Sequence, residues 1–153
     1  MKARLNIGTA APETFAAVLE LENHIASSGL PARLIHLIKI RASQINGCAY
    51  CLDMHVKHAR KDGLGEQWLA LIATWQESPI YSDEERAVLG WTEALTRLAD
   101  TRAPDEAYEP LKAHFSEAEI ARLTVAIGMI NVWNRIAVGL RSQHPVDEVA
   151  KAA

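Results

Sequence analysis

Residues 41–60 read RASQINGCAYCLDMHVKHAR. Both cysteines of the 153-residue chain fall here, as Cys48 and Cys51, with His55 four residues further on and His58 beyond it. Asn46-Gly47 is a helix stop. On both sides of it the apolar residues recur at spacings of three and four, the period of an amphipathic helix. The stretch therefore reads as the end of one helix, a tight turn and the start of another. The two thiols lie in the first turn of the second helix.

Working outward, the same punctuation continues. Pro12 and Pro31 can each open a helix at its first position, and Gly29 closes the first of the two. The thiol-bearing helix is expected from about Cys48 to Asp62, stopping at Gly63. A shorter one covers Glu66 to Trp75, and ESPIYSD (77–83) is a turn-rich link. Ser82 with Glu85 and Ser116 with Glu119 form capping boxes, so helices are expected over roughly 83–100, 104–114 and 117–141. Alternation of β-branched and polar residues is absent. The fold class is all-α, about six to seven helices in one domain spanning 1–153, with the tail after Pro145 frayed. Ile35, Ile38, Ile40, Ile45 and Asn46 echo Ile120, Leu123, Val125, Ile130 and Asn131 at an offset of 85, which fits either an internal repeat or two similarly patterned helices.

Composition narrows the function. Apolar residues make up 49% and charged residues 23%, as in globular domains that bury a core without disulfide staples. A net charge of -3 with singly scattered Lys and Arg argues against a nucleic-acid partner. VAIGMINVW (125–133), the longest apolar run, is too short to span a bilayer, and no leader segment is evident. The expected home is the cytosol, where thiols stay reduced unless redox chemistry is their task.

The CxxC spacing is a redox spacing. At a helix N-terminus, unpaired backbone N–H groups and the helix dipole favour a thiolate, and an i, i+3 pair brings the sulfurs within disulfide reach. His55 shares that helix face one turn after Cys51 and can take its proton. Bland readings stand beside this one: two core cysteines with a core histidine, or zinc held by Cys48, Cys51, His55 and His58. Structural zinc sites draw on two separated ligand pairs, whereas all four residues here share one short helix. His58 is expected to be a solvated surface residue. A thioredoxin-like CxxC needs a β-α-β context, and the sequence shows no strands. Asn131, Asn134 and Arg135 sit in an otherwise apolar helix and are expected to find partners between helices or subunits. Trp68, Trp75, Trp91 and Trp133 read as core or interface residues.

RASQINGCAYCLDMHVKHAR resembles the signature of the AhpD-like, or carboxymuconolactone decarboxylase, family, in which the second cysteine of CxxC is followed after three residues by histidine. LIHLIKI, EERAVLGWTEALTRLAD and FSEAEIARLTVAIGMINVWNRIAVGL extend the likeness over most of the chain. The resemblance implies an AhpD-like helical fold assembled as a homotrimer or homohexamer. It implies an enzyme that reduces small hydroperoxides or disulfides with an external dithiol and without metal, flavin or haem. Decarboxylase members generally lack the cysteine pair. By the resemblance Cys51 attacks, Cys48 resolves and His55 relays protons. The family's relay glutamate falls at position 36, where this chain has His36. An imidazole cannot copy a carboxylate's charge, so His36 is either a base in its own right or a packed helix residue. Gln44, Asn46 and Tyr50 flank the thiols: Gln44 and Asn46 as water-orienting or capping groups, Tyr50 as a pocket or packing residue. The rival functions are a lyase acting on a small lactone acid and a non-catalytic redox sensor.

Overall fold

The central helix is written in ARLIHLIKIRASQI. Leu34, Leu37, Ile38, Ile40 and Ala42 are buried, and so are the polar His36, Lys39, Arg41 and Ser43 between them. A helix apolar on one stripe would turn those polar residues to water. This one is packed on nearly every side, against the helices Ala49–Lys61, Asp83–Thr96 and Glu117–Leu140 and the 3₁₀ segment Leu71–Thr74. Burying each large aliphatic side chain contributes about 1.5–3 kcal/mol.

A computed structural model describes residues 2–147. Among these the helices are α1 (Ile7–Ala10), α2 (Pro12–Ala26), α3 (Ala32–Ile45), α4 (Ala49–Lys61), α5 (Glu66–Ala70), α6 (Asp83–Thr96), α7 (Leu98–Thr101), α8 (Asp105–Tyr108) and α9 (Glu117–Leu140), with 3₁₀ segments at Leu71–Thr74 and Glu109–Ala113. The described residues hold no strand. Each helix expected from the sequence is present, and three are broken. The 66–75 and 104–114 helices each finish as a 3₁₀ turn, and the 83–100 helix is interrupted at Arg97. Pro31 caps α3 from one residue outside it. Both capping boxes form, at Ser82–Glu85 and Ser116–Glu119. Of the tail after Pro145, Val146 and Asp147 are non-helical, and the rest lies outside the described residues.

α3 is held by three copies of one arrangement, a cation bonded to a glutamate that also accepts a tryptophan N–H. Arg33 donates to Glu85, which accepts Trp68 Nε1–H at 3.1 Å. Lys39 donates to Glu22, which accepts Trp133 Nε1–H at 3.1 Å. Arg41 donates to Glu93 at 2.8 Å, which accepts Trp75 Nε1–H at 2.8 Å. Charges taken from water need such partners.

α9 is long and apolar enough, by length and composition alone, to cross a membrane, with a mean hydropathy of 1.4 over its most apolar window. In the fold it packs against α2, α3, α4 and α6. Its polar residues are used there: Asn46 Nδ2 donates to Asn131 Oδ1 (3.0 Å) and Asn134 Oδ1 (2.8 Å), and Asn134 Nδ2 donates to Ser43 Oγ (3.1 Å). Asn46 and Asn131 are the offset-85 pair of the sequence echo, so the two echoing helices pack on each other through matched residues.

Candidate active site

Between α3 and α4 the chain must reverse within three residues. Gly47 does this with φ +64°, a left-handed conformation that costs an L-residue with a side chain roughly 1–2 kcal/mol. The Cys48 N–H then bonds back to Ser43 O at 3.0 Å. This turn sets Cys48 as the N-cap of α4, with its sulfur accepting the Cys51 N–H at 3.3 Å. One orphan donor of the helix start is thus satisfied by a sulfur rather than by the usual oxygen. Cys48 and Cys51 are joined as a disulfide, their Cα atoms 5.4 Å apart.

Both cysteines are 2% exposed, yet they differ in what they face. A cavity of about 770 Å³ is walled by Cys51, Tyr50, Met54, His55 and His58 of α4, while Cys48 is not on its wall. α2 contributes Phe15, Leu19 and Glu22, α3 contributes Lys39, and α9 contributes Trp133, Ile136 and Ala137. The near-terminal residues Leu5, Asn6 and Ile7, with Ser142 and Gln143, complete the enclosure. Arg4 fastens this edge: its backbone N–H bonds Leu140 O at 2.9 Å and its guanidinium bonds Gly139 O at 2.8 Å.

His55 is 6% exposed. Burial, reinforced by the charges of Lys39, His58 and His36, pushes its pKa down to about 3. The imidazole of the oxidised site is therefore neutral across the physiological range. In the reduced protein a thiolate at Cys51 would attract the imidazolium and raise that value.

The remaining expected residues divide. Tyr50 walls the cavity and is 37% exposed. Gln44 and Asn46 do not wall it: Gln44 Oε1 accepts from Arg41 at 3.2 Å, and Asn46, the C-cap of α3, ties α3 to α9. His36 is also off the wall. Its Nε2 lies 2.7 Å from Asp62 Oδ2, and its buried Nδ1 has no hydrogen-bond partner. His58, expected in solvent, is exposed but also on the wall, edge-on to His55 with ring centroids 6.1 Å apart. Among the described residues no group of three or more His, Cys, Asp or Glu converges as a metal site.

Sequence reasoning missed Glu22, Lys39 and Trp133. Glu22 and Trp133 are 111 residues apart, and no local pattern joins them. A lysine amid Leu and Ile in LIHLIKI was the one available signal, since a buried amine demands a partner.

Residues 12–94 match the family model described as the carboxymuconolactone decarboxylase family. The chain is 38% identical over 140 residues to YdfG, an uncharacterized protein of Bacillus subtilis (strain 168), across 92% of this chain and 95% of that one. The crystal structure of ATU0492 from Agrobacterium tumefaciens, a protein of unknown function provisionally described as an antioxidant defence protein AhpD, is 62% identical with a TM-score of 0.94. It covers 95% of this chain and 100% of that one. The debrominase Bmp8 has the same fold, with a TM-score of 0.76 at 22% identity, over 90% of this chain and 74% of that one.

Proposed function

The chain belongs to the carboxymuconolactone decarboxylase family, and from that premise we propose that it is a thiol-dependent peroxidase of the AhpD-like kind. The observation that carries the reading is the asymmetry of the thiol pair: Cys51 walls the cavity beside a buried neutral imidazole, and Cys48, bonded to it, stands off the wall.

The cycle starts from the reduced pair. The Cys51 thiol passes its proton to His55. The thiolate attacks the terminal oxygen of a hydroperoxide, the O–O bond breaks, and the sulfur is oxidised to a sulfenic acid. The departing alkoxide takes the proton from His55 and leaves as an alcohol. The Cys48 thiol then attacks the Cys51 sulfur; the S–S bond forms and hydroxide leaves with the Cys48 proton as water. An external dithiol returns two electrons and two protons by exchange, forming its own disulfide. Such a cycle suits a reducing compartment, the cytosol. The largely aliphatic and aromatic wall favours an organic hydroperoxide with an apolar body over hydrogen peroxide.

The test is turnover of cumene hydroperoxide with a dithiol reductant. Cys51→Ser should fall to background. Cys48→Ser should consume one equivalent and stall as a sulfenic acid at Cys51 that dimedone traps. Turnover that survives loss of both thiols would instead mark a lyase-type site, and disulfide formation without turnover a redox sensor.

We also infer a homotrimer or homohexamer. Val125 and Val132, seven residues apart and so on one side of α9, are exposed, an apolar strip that a partner copy would cover. Light scattering should give three or six times the chain mass; a mass of 16.8 kDa would overturn this.

A further inference from the structure

Of the three cation–glutamate–tryptophan groups on α3, one opens on the cavity. Lys39, Glu22 and Trp133 all wall it, and Arg41, Glu93 and Trp75 do not. The cavity-facing group is also the only one of the three built on lysine. Lysine is a compact point charge with three donors, whereas arginine is a planar fork suited to bidentate pairing. Lys39 is 8% exposed, and the bond to Glu22 occupies one of its three N–H groups.

We infer that Lys39 is a positioning residue of the thiol site: its ammonium, fixed by Glu22, is the cation that stabilises the Cys51 thiolate. The inference rests on Cys51 being the reacting thiol. The charged and titratable groups that share the cavity wall with Cys51 are Glu22 from α2, Lys39 from α3, and Tyr50, His55 and His58 from α4; His36 of α3 stands off that wall. His36 is tied to the Asp62 carboxylate, and His55 is neutral. Lys39 is the one lysine or arginine among the described residues that wall the cavity, and a cation beside a thiol stabilises its ionised form. Glu22 opposes it, so the orientation of the pair decides the sign. Lys39 stands on α3, which packs along α4, whereas Glu22 stands on α2 and is bonded from α9 by Trp133; the positive member of the pair is the one on the helix that packs against the thiol helix. The second bond to Glu22, from Trp133 on α9, keeps that orientation fixed.

The experiment is a pH titration of thiolate ultraviolet absorbance in the reduced, full-length Cys48→Ser protein, where Cys51 is the remaining thiol. Lys39→Met should raise the midpoint by roughly 1–2 pH, with alkylation by iodoacetamide at neutral pH slowed about tenfold for each pH of that rise. Lys39→Arg should restore most of the difference, which a packing role alone would not do. Glu22→Gln should lower the midpoint by freeing the cation from its counter-charge. A midpoint unmoved by Lys39→Met overturns the inference. If that variant does not fold, a midpoint raised or unmoved in Glu22→Gln overturns it. Normal midpoint shifts with no peroxide turnover in the wild type would sink the peroxidase reading and leave this inference standing. Unmoved midpoints with intact turnover would do the reverse.

Discussion

Lys39 and Arg41 leave the same helix two residues apart, each toward a glutamate that also holds a tryptophan, and the two pairs end in different surroundings. Arg41 is saturated. Its Nε and Nη2 both reach Glu93, at 2.8 and 2.7 Å, and Nη1 reaches Gln44 at 3.2 Å. That closed group joins α3 to α6. Lys39 makes one bond and keeps donors in reserve beside a cavity. A charge buried to join helices is enclosed among its partners, whereas a charge buried to act on a ligand stands on a cavity wall.

The contrast can be broken by exchanging the consequences. Glu93→Ala should cost about 3–5 kcal/mol in urea unfolding, because it strands a buried guanidinium, while the thiol midpoint of the folded fraction stays where it was. A comparable loss from Lys39→Met would erase the distinction. That substitution should cost only about 1–2 kcal/mol, since Glu22 keeps its tryptophan and an opening to the cavity.

Between these two lies the acid response of His55. Its folded-state pKa of about 3 lies below the ordinary 6.5, so between those values the unfolded chain binds the extra proton. Its contribution is complete above about pH 6.5 and shrinks as the pH falls toward about 3. Roughly 2–3 kcal/mol should be lost by about pH 4.5. Chemical denaturation across that window, wild type against His55→Gln, checks it; an equally steep slope in the variant would show that the acid sensitivity does not come from His55.

How much of this was legible in the sequence depends on distance along the chain. The thiol turn was readable because Gly47, Cys48, Cys51 and His55 act within two helical turns, where geometry follows from spacing. The capping boxes at Ser82 and Ser116 were readable for the same reason. The cavity was not, since α2, α3, α4 and α9 meet there with both near-terminal segments. His36 attracted attention by its position relative to the cysteines, yet its carboxylate partner is Asp62, 26 residues away. That pairing points the functional question toward Lys39, whose partner Glu22 lies on another helix. The helices expected at 66–75 and 104–114 ended early because periodicity does not distinguish an α-turn from a 3₁₀ turn.

The cavity wall joins residues 5–7 to residues 133–143, and that gives the chain a schedule during synthesis. The two thiols leave the ribosome long before α9 does. Until then Glu22 lacks Trp133, Arg4 has no carbonyls to grip, and the sulfurs face open solution. A nascent chain therefore carries its thiol pair without the walls that α2 and α9 supply in the folded protein. Only the arrival of the last helix completes the wall around that pair.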